Sequence, residues 1–424
     1  MRTQKLPFYL LVGFNLLTWI IYLSNPYLAS STDTHILTVI YVLLNIICLA
    51  VGFRTGERVS GSTALVKVTY ADNFYKRFYT KYFIFYILTF LLKYAYELRI
   101  PAFNINALIT RVLVGISNPE IGYVMTLEGA QSYSWSIYQF INLFDCGFFI
   151  VGMLCWRYLS KFEKTTFSIL VVFELLKWFG AGTSFGIMQI STTLALVYVA
   201  SMSIEYLSKK QLFKISFVLG LVFIFAVIAF GSNMQGRSGG ELRDIQSSQV
   251  NLDSFVFKYF VAYLPTWFQD LYDFVVRYLV GGYYNLEYAF RCDYDWCMFL
   301  GNNNALTTLA DDVFHLGVEE NSYPIKIFHK FGVDPYIYWH SCYTWLANDF
   351  TLFGVPLVVY WIGRTTNLAL SMFRQYNDMV SGVIYVILGN VIIFFFANNN
   401  YLSGHFYLFM IVFLYWVNVK YRIK

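Results

Sequence analysis

Side chains suited to anion binding and proton transfer are concentrated in one polar stretch, residues 232–340. It contains seven of the 30 lysines and arginines, three of the five histidines and 13 of the 25 acidic residues. Arginine binds phosphate through a planar fork, and histidine exchanges protons near neutral pH. A connection of about a hundred residues is unusually long, and such connections commonly form lids or binding elements. We therefore expect the chemistry of the chain to lie in this stretch.

The rest of the chain has the composition of a polytopic helical membrane protein. Hydrophobic residues make up 58% of the chain and charged residues 13%, against about 25% charged residues in soluble domains. Ten apolar runs are predicted to be helices that cross a ~30 Å hydrocarbon core. The runs are residues 7–23, 35–53, 82–96, 135–156, 166–181, 186–206, 213–231, 350–363, 379–397 and 401–419. The predicted architecture is all-α, with seven helices in residues 1–231, one large loop in 232–340 and three helices in 341–424.

The distribution of basic residues predicts the orientation, because lysine and arginine are retained on the cytoplasmic side. With a cytoplasmic N-terminus, the predicted inner segments carry 19 lysines and arginines and the outer segments carry nine. Both termini are therefore predicted to be cytoplasmic, and the long loop to face the periplasm or the exterior of a bacterial cell. We interpret the first run as a helix rather than a cleaved signal peptide, because no small-x-small cleavage site directly follows it.

The first part of the long loop is predicted to contain an amphipathic helix at the membrane surface. Large apolar residues recur every four positions, and polar residues gather on the opposite side. The apolar positions are Trp267, Leu271, Val275 and Leu279. Pro265 is expected to separate this helix from an earlier apolar piece, residues 255–264. After residue 282 the loop has the composition of a soluble segment.

A few charged or reactive residues elsewhere have more than one interpretation. Glu174 and Lys177 are three residues apart in the fifth predicted helix, a spacing that allows an ion pair, although Lys177 could instead reach a headgroup phosphate at the outer end. Asp145, in the fourth predicted helix, has no local partner. Cys292 and Cys297 could form a disulfide in an oxidising periplasm. The cysteine and histidine spacings do not match a zinc site, and no phosphate-binding glycine loop is present.

Two local motifs, together with this architecture, resemble the Wzy-type O-antigen polymerases of the bacterial inner membrane. The first is Tyr278-Leu-Val-Gly-Gly-Tyr-Tyr-Asn-Leu286, similar to a tyrosine/glycine patch in that family's large periplasmic loop. The second is Tyr343-Thr-Trp-Leu-Ala-Asn-Asp-Phe-Thr-Leu-Phe-Gly354, similar to the family's threonine and Asp-Phe-Gly-x-x-Gly, with a longer aspartate-to-glycine spacing. The chain departs from the family at Gly182-Thr183-Ser184, where a Gly-Ser-Arg is often found. Lys177 is the cation that could substitute for that arginine.

The resemblance implies a metal-independent membrane glycosyltransferase of GT-C-like type that needs no cofactor. Such an enzyme transfers a growing glycan from its undecaprenyl-pyrophosphate carrier to a sugar hydroxyl of a new lipid-linked repeat unit. The implied partners are the lipid-linked oligosaccharide, membrane lipids and a chain-length regulator protein, with no nucleic acid. The rival functions are an O-antigen ligase, which would share the loop, and a flippase for lipid-linked oligosaccharides.

Roles for individual residues follow from this implied reaction. Cations are needed at the departing pyrophosphate and a base at the acceptor hydroxyl. The arginines expected to include the pyrophosphate clamp are Arg237, Arg243, Arg277 and Arg291. His340 is the predicted base, with Asp349 as its neighbour or replacement. The alternatives are an ion pair with Asp273 for Arg277, a helix N-cap for Asp349 and an ordinary interfacial position for His340.

Overall fold

The computed structural model describes residues 5–24, 32–62, 74–98, 104–130, 147–183, 185–202, 251, 253–335, 338–398 and 410–416, together with isolated positions between 210 and 231. Every regular element in these residues is helical. The α-helices are α1 (Leu6–Leu23), α2 (Thr32–Ser62), α3 (Phe74–Glu97), α4 (Ile105–Ser117), α5 (Pro119–Ala130), α6 (Phe148–Leu154), α7 (Lys161–Gly180), α8 (Phe185–Ala200), α9 (Phe255–Tyr259), α10 (Thr266–Ala289), α11 (Asn304–Phe314), α12 (Val318–Asn321), α13 (Tyr323–Phe331), α14 (Cys342–Tyr376) and α15 (Met379–Ile393).

Three of these helices are long and apolar enough to cross a membrane: Leu6–Leu23, Asp33–Arg58 and Cys342–Tyr376. The all-helical prediction is thus confirmed for the described residues, while the count of ten membrane-crossing helices stays a prediction. The predicted run 135–156 falls mostly outside the described residues. Of the runs 213–231 and 401–419, only a few positions are described, and these are helical.

Helices α2 and α14 pack closely against each other, because glycines remove side chains from their crossing. A Cβ at Gly52 would lie 2.1 Å from the Tyr360 carbonyl oxygen, and one at Gly363 would lie 2.6 Å from that of Leu49. Asn367 completes the contact by donating its amide to the Phe53 carbonyl at 2.7 Å. Small residues and buried amides are the usual means by which helices associate where solvent is apolar.

Helix α14 begins eight residues earlier than the predicted start at residue 350, since Ser341 caps it by accepting a hydrogen bond from the Thr344 amide at 3.2 Å. The helix is interrupted at Thr351, whose φ of 61° is not helical. Tyr41 of α2 donates its hydroxyl to the Leu352 carbonyl at 2.8 Å beside this break. We call the end of the bundle where Tyr22, Thr34 and His35 meet residues 284–291 the loop end.

Helix α10 confirms part of the prediction for the long loop and corrects the rest. Pro265 does separate it from an earlier apolar piece, but the helix continues through Gly281 and Gly282 to Ala289. A Cβ at Gly282 would lie 2.1 Å from the Phe396 carbonyl oxygen, so glycine here permits close backbone packing. The face that packs within the protein contains Val280, which is fully buried, whereas Trp267 of the predicted apolar stripe is 64% exposed, and its contact with the membrane surface stays a prediction. Contacts with α1 and α2 select the buried face, and these cannot be read from the helix's own periodicity.

Candidate functional site

Helix α10 brings loop residues against the ends of α1 and α2. Tyr283 is fully buried, and its hydroxyl lies 3.0 Å from that of Thr18 on α1. On another side of α10, Asn285 donates its amide to the Trp339 carbonyl at 2.7 Å. The last turns of α10 are therefore held between the first two helices and the point where the loop returns to α14.

A carboxylate, an imidazole and a phenol meet one turn further along, and we call them the Tyr22–His35–Glu287 cluster. Glu287, only 4% exposed, accepts hydrogen bonds from the Tyr22 hydroxyl and from His35 Nδ1, the latter at 3.0 Å. The Tyr22 ring packs on His35 with centroids 4.7 Å apart, and Tyr284 stacks beside the same imidazole at 6.3 Å. The cluster joins the end of α1, the first turn of α2 and the end of α10.

Arg291 lies next to this cluster on the exposed side. Its guanidinium donates to the Thr34 hydroxyl at 2.9 Å, one residue before His35. Hydrogen bonds from the amides of Arg291 and Cys292 to carbonyls three residues earlier keep the chain turning after α10. The Lys330 ammonium donates to the Arg291 carbonyl at 2.5 Å, so a second cation is fixed at the same turn. Thr34 of α2 is thus hydrogen-bonded to Arg291, and the next residue, His35, is hydrogen-bonded to Glu287.

The arrangement combines two chemical capacities in one place. A carboxylate accepts hydrogen bonds, so in the neutral imidazole the His35 nitrogen that faces Glu287 carries the proton and Nε2 presents a lone pair. Among the described residues, Nε2 has no hydrogen-bond partner. The adjacent guanidinium and ammonium suit a phosphate or pyrophosphate. Proton transfer and anion binding are therefore both available at the loop end.

The predicted base His340 is fully buried at the junction between the loop and α14. Its backbone amide donates to Asn398 Oδ1 at 2.9 Å, but neither ring nitrogen has a hydrogen-bond partner. Burial lowers the pKa of the imidazole to about 4. The ring is therefore neutral at pH 7, and Asp349 does not orient it through a hydrogen bond.

Asp349 instead contacts the loop turn at residues 297–303. Its carboxylate accepts a hydrogen bond from the Gly301 amide at 3.1 Å, and the nearby amides of Asn302 and Phe299 also favour its charged form. The preceding residue, Asn348, donates to the Gly301 carbonyl at 3.0 Å. Because α14 begins at Cys342, Asp349 lies within the helix and the alternative of an N-cap is wrong. Its observed contacts anchor the turn.

Of the other predicted cations, the two that the structure describes, Arg277 and Lys177, are engaged in ion pairs. Arg277 pairs with Asp273 at 2.6 Å, as its alternative interpretation predicted. Arg237 and Arg243 lie outside the described residues, as does Asp145. The structure therefore places Arg291, alone of the described arginines in the predicted clamp, beside the Tyr22–His35–Glu287 cluster.

Lys177 belongs to a buried charge cluster between α3 and α7. It forms an ion pair with Glu174, and Lys93 of α3 approaches the same carboxylate at 3.8 Å. Tyr94 and Trp178 also donate to Glu174, at 3.0 and 3.1 Å. The ion-pair interpretation of Glu174 and Lys177 is confirmed, and the second lysine was not predicted.

The two loop cysteines carry free thiols, so the structure shows no disulfide between Cys292 and Cys297. Cys297 is fully buried, and burial raises the pKa of its thiol to about 12. The thiol is therefore protonated at neutral pH, which argues against a nucleophilic role.

Sequence reasoning missed Tyr22, His35 and Glu287. Two weak signals were present: a histidine in the first turn of a predicted membrane helix, and a glutamate directly after the first motif and four residues before an arginine. Comparison of the chain with protein families, with characterised proteins and with solved structures finds no match.

Proposed function

We propose that this protein is a membrane glycosyltransferase that polymerises undecaprenyl-pyrophosphate-linked oligosaccharide repeat units at the periplasmic side of a bacterial inner membrane. The glycan would move from its lipid carrier to a sugar hydroxyl of the incoming repeat unit, releasing undecaprenyl pyrophosphate. The proposal rests first on the resemblance of two motifs, residues 278–286 of the loop and residues 343–354 of α14, to those of the Wzy-type polymerases.

One observation carries the proposal beyond that resemblance, namely the fixed cations beside the first turn of α2. Arg291 is hydrogen-bonded to Thr34, and Lys330 is hydrogen-bonded to the Arg291 backbone. A lipid-linked pyrophosphate lies at the headgroup level, and the first turn of an apolar membrane-crossing helix such as α2 is expected at the same level. Fixed cations stabilise the charge that develops on the leaving pyrophosphate, which is the main electrostatic demand of this reaction.

A deletion of the gene tests the proposed reaction against its rivals. The surface glycan of the deletion strain is compared with wild type by gel electrophoresis. Polymerase function predicts a single repeat unit on the lipid core in place of a ladder. Naked core with full-length glycan left on the lipid carrier would indicate a ligase, and repeat units trapped on the cytoplasmic face would indicate a flippase. Complementation with Arg291→Lys is expected to restore the ladder only weakly, because lysine lacks the planar fork.

A further inference from the structure

The Tyr22–His35–Glu287 cluster places an imidazole within a hydrogen-bond network at the loop end. His35 occupies the first turn of an apolar helix, and its partner Glu287 comes from the polar stretch 252 residues away in sequence. Ionisable residues in apolar helices are expensive to place there and are by default candidates for function. A purely structural link between α1 and α10 is already supplied nearby by the hydroxyl contact of Thr18 and Tyr283.

We infer that His35, oriented by Glu287, is the group that accepts the proton of the acceptor sugar hydroxyl. This inference rests on the proposed function and deepens it, since the sequence alone predicted His340 for this role. His35 has the three properties that the role requires: a carboxylate partner on Nδ1, a second ring nitrogen without a partner among the described residues, and a side chain that retains 13% exposure.

The carboxylate fixes both the tautomer and the orientation of the ring. With the Nδ1 proton directed at Glu287, the lone pair of Nε2 points away from the carboxylate. Once Nε2 takes up a proton, the adjacent carboxylate stabilises the imidazolium, as in other carboxylate–histidine pairs. Glu287 is thus a positioning residue, and Tyr22 holds it from the other side through a hydrogen bond to the same oxygen.

His340 lacks these features. Both of its ring nitrogens are without partners and inaccessible, because the side chain is fully buried. A proton on this ring would have no compensating carboxylate, and burial without a partner disfavours the charged form. Among the described histidines, His35 therefore matches the requirements of a base better than His340 does.

The neighbourhood of His35 also fits the rest of the step. The acceptor hydroxyl oxygen forms a bond to the anomeric carbon while the bond from that carbon to the pyrophosphate oxygen breaks. The departing pyrophosphate keeps the electron pair, and the hydroxyl proton moves to Nε2 of His35 and later to water. Arg291 donates to Thr34, the residue next to His35, so the cation for the leaving group and the proton acceptor are adjacent.

The test is a polymerisation assay on purified full-length protein in phospholipid vesicles. Its substrate is the lipid-linked repeat unit extracted from the gene-deletion strain. We expect His35→Ala to lower kcat by about 100-fold or more, the usual range for loss of a general base, with KM changed less than about threefold. His35→Gln keeps a hydrogen-bonding group toward Glu287 and should fold if the alanine variant does not, yet should show the same loss. Glu287→Gln should lower kcat by about 10-fold or more at unchanged KM.

Thr18→Val is the matched control, since it removes the buried 3.0 Å hydrogen bond between α1 and α10 while leaving all hydrogen bonds of the Tyr22–His35–Glu287 cluster in place. It should retain kcat within about threefold. If folded His35→Gln protein polymerises at the wild-type rate, or if His340→Leu alone abolishes turnover, the inference is overturned while the proposed function stands. If wild-type protein forms no polymer, the proposed function fails and the inference fails with it.

Discussion

Replacing Asp349 by alanine should release the loop turn at residues 297–303 from α14. The Asp349 carboxylate is 5% exposed and accepts a hydrogen bond from the Gly301 amide of this turn. Hydrogen bonds to a charged group contribute about 1.5–3 kcal/mol each. Backbone strain favours opening of the turn, because Met298 and Phe299 have φ of 55° and 61°. Such backbone conformations cost about 1 kcal/mol or more each. This strain is the same in wild type and in Asp349→Ala, so the substitution should lower the free energy of opening the turn by the value of the lost hydrogen bond, about 1.5–3 kcal/mol.

The assay is hydrogen–deuterium exchange on the detergent-solubilised protein, followed for peptides that cover this turn. At 1.36 kcal/mol per tenfold, protection of the turn in Asp349→Ala should fall by about 10- to 150-fold. Glu320→Ala is the control, because the exposed Glu320 carboxylate is paired with exposed His329, and its loss should leave the turn protected. Unchanged protection in Asp349→Ala would refute the anchoring role. Loss of polymerisation without opening of the turn would point to a chemical role for Asp349.

Three further outcomes are expected from unfolding measurements in detergent. Folded His340 has a pKa of about 4 against 6.5 for the ordinary group, so the unfolded chain binds a proton that the folded chain does not. The free energy of unfolding of the wild type should therefore fall by up to about 3 kcal/mol through His340 as pH drops from 6.5 to 4. His340→Leu lacks this contribution, so its free energy of unfolding should fall by up to about 3 kcal/mol less over the same pH range. Gly282→Ala should destabilise, because its Cβ would lie 2.1 Å from a carbonyl oxygen, whereas Gly281→Ala meets nothing within 4 Å and should be tolerated. Arg111→Met should cost about 3 kcal/mol, because the Arg111 guanidinium donates to three backbone carbonyls.

Sequence reasoning succeeded where the information was local. Apolar runs predicted α1 and α2, and Pro265 predicted the break before α10. The ion pairs of Glu174 with Lys177 and of Asp273 with Arg277 also follow from helical spacing, because residues three or four apart share a face.

The contacts that build the candidate site are not local, which is why the sequence did not predict them. Glu287 meets Tyr22 and His35 across 265 and 252 residues of chain. No spacing rule connects such positions, and a glutamate in a polar loop carries no sign that it will be buried. The role of Asp349 depends in the same way on a turn 48 residues earlier. Helix periodicity likewise could not show which face of α10 packs on α1 and α2.

The most direct test of the proposed function is reconstitution with a single purified protein. Full-length protein in phospholipid vesicles is incubated with radiolabelled lipid-linked repeat units from the deletion strain, and the products are separated by gel electrophoresis and thin-layer chromatography. A glycosyltransferase of this kind must form a ladder of glycans that remain on the lipid carrier and release one undecaprenyl pyrophosphate for each bond made, and Arg291→Ala must weaken both. Labelled material that stays as single repeat units, with no undecaprenyl pyrophosphate released by folded wild-type protein, would contradict the proposed function.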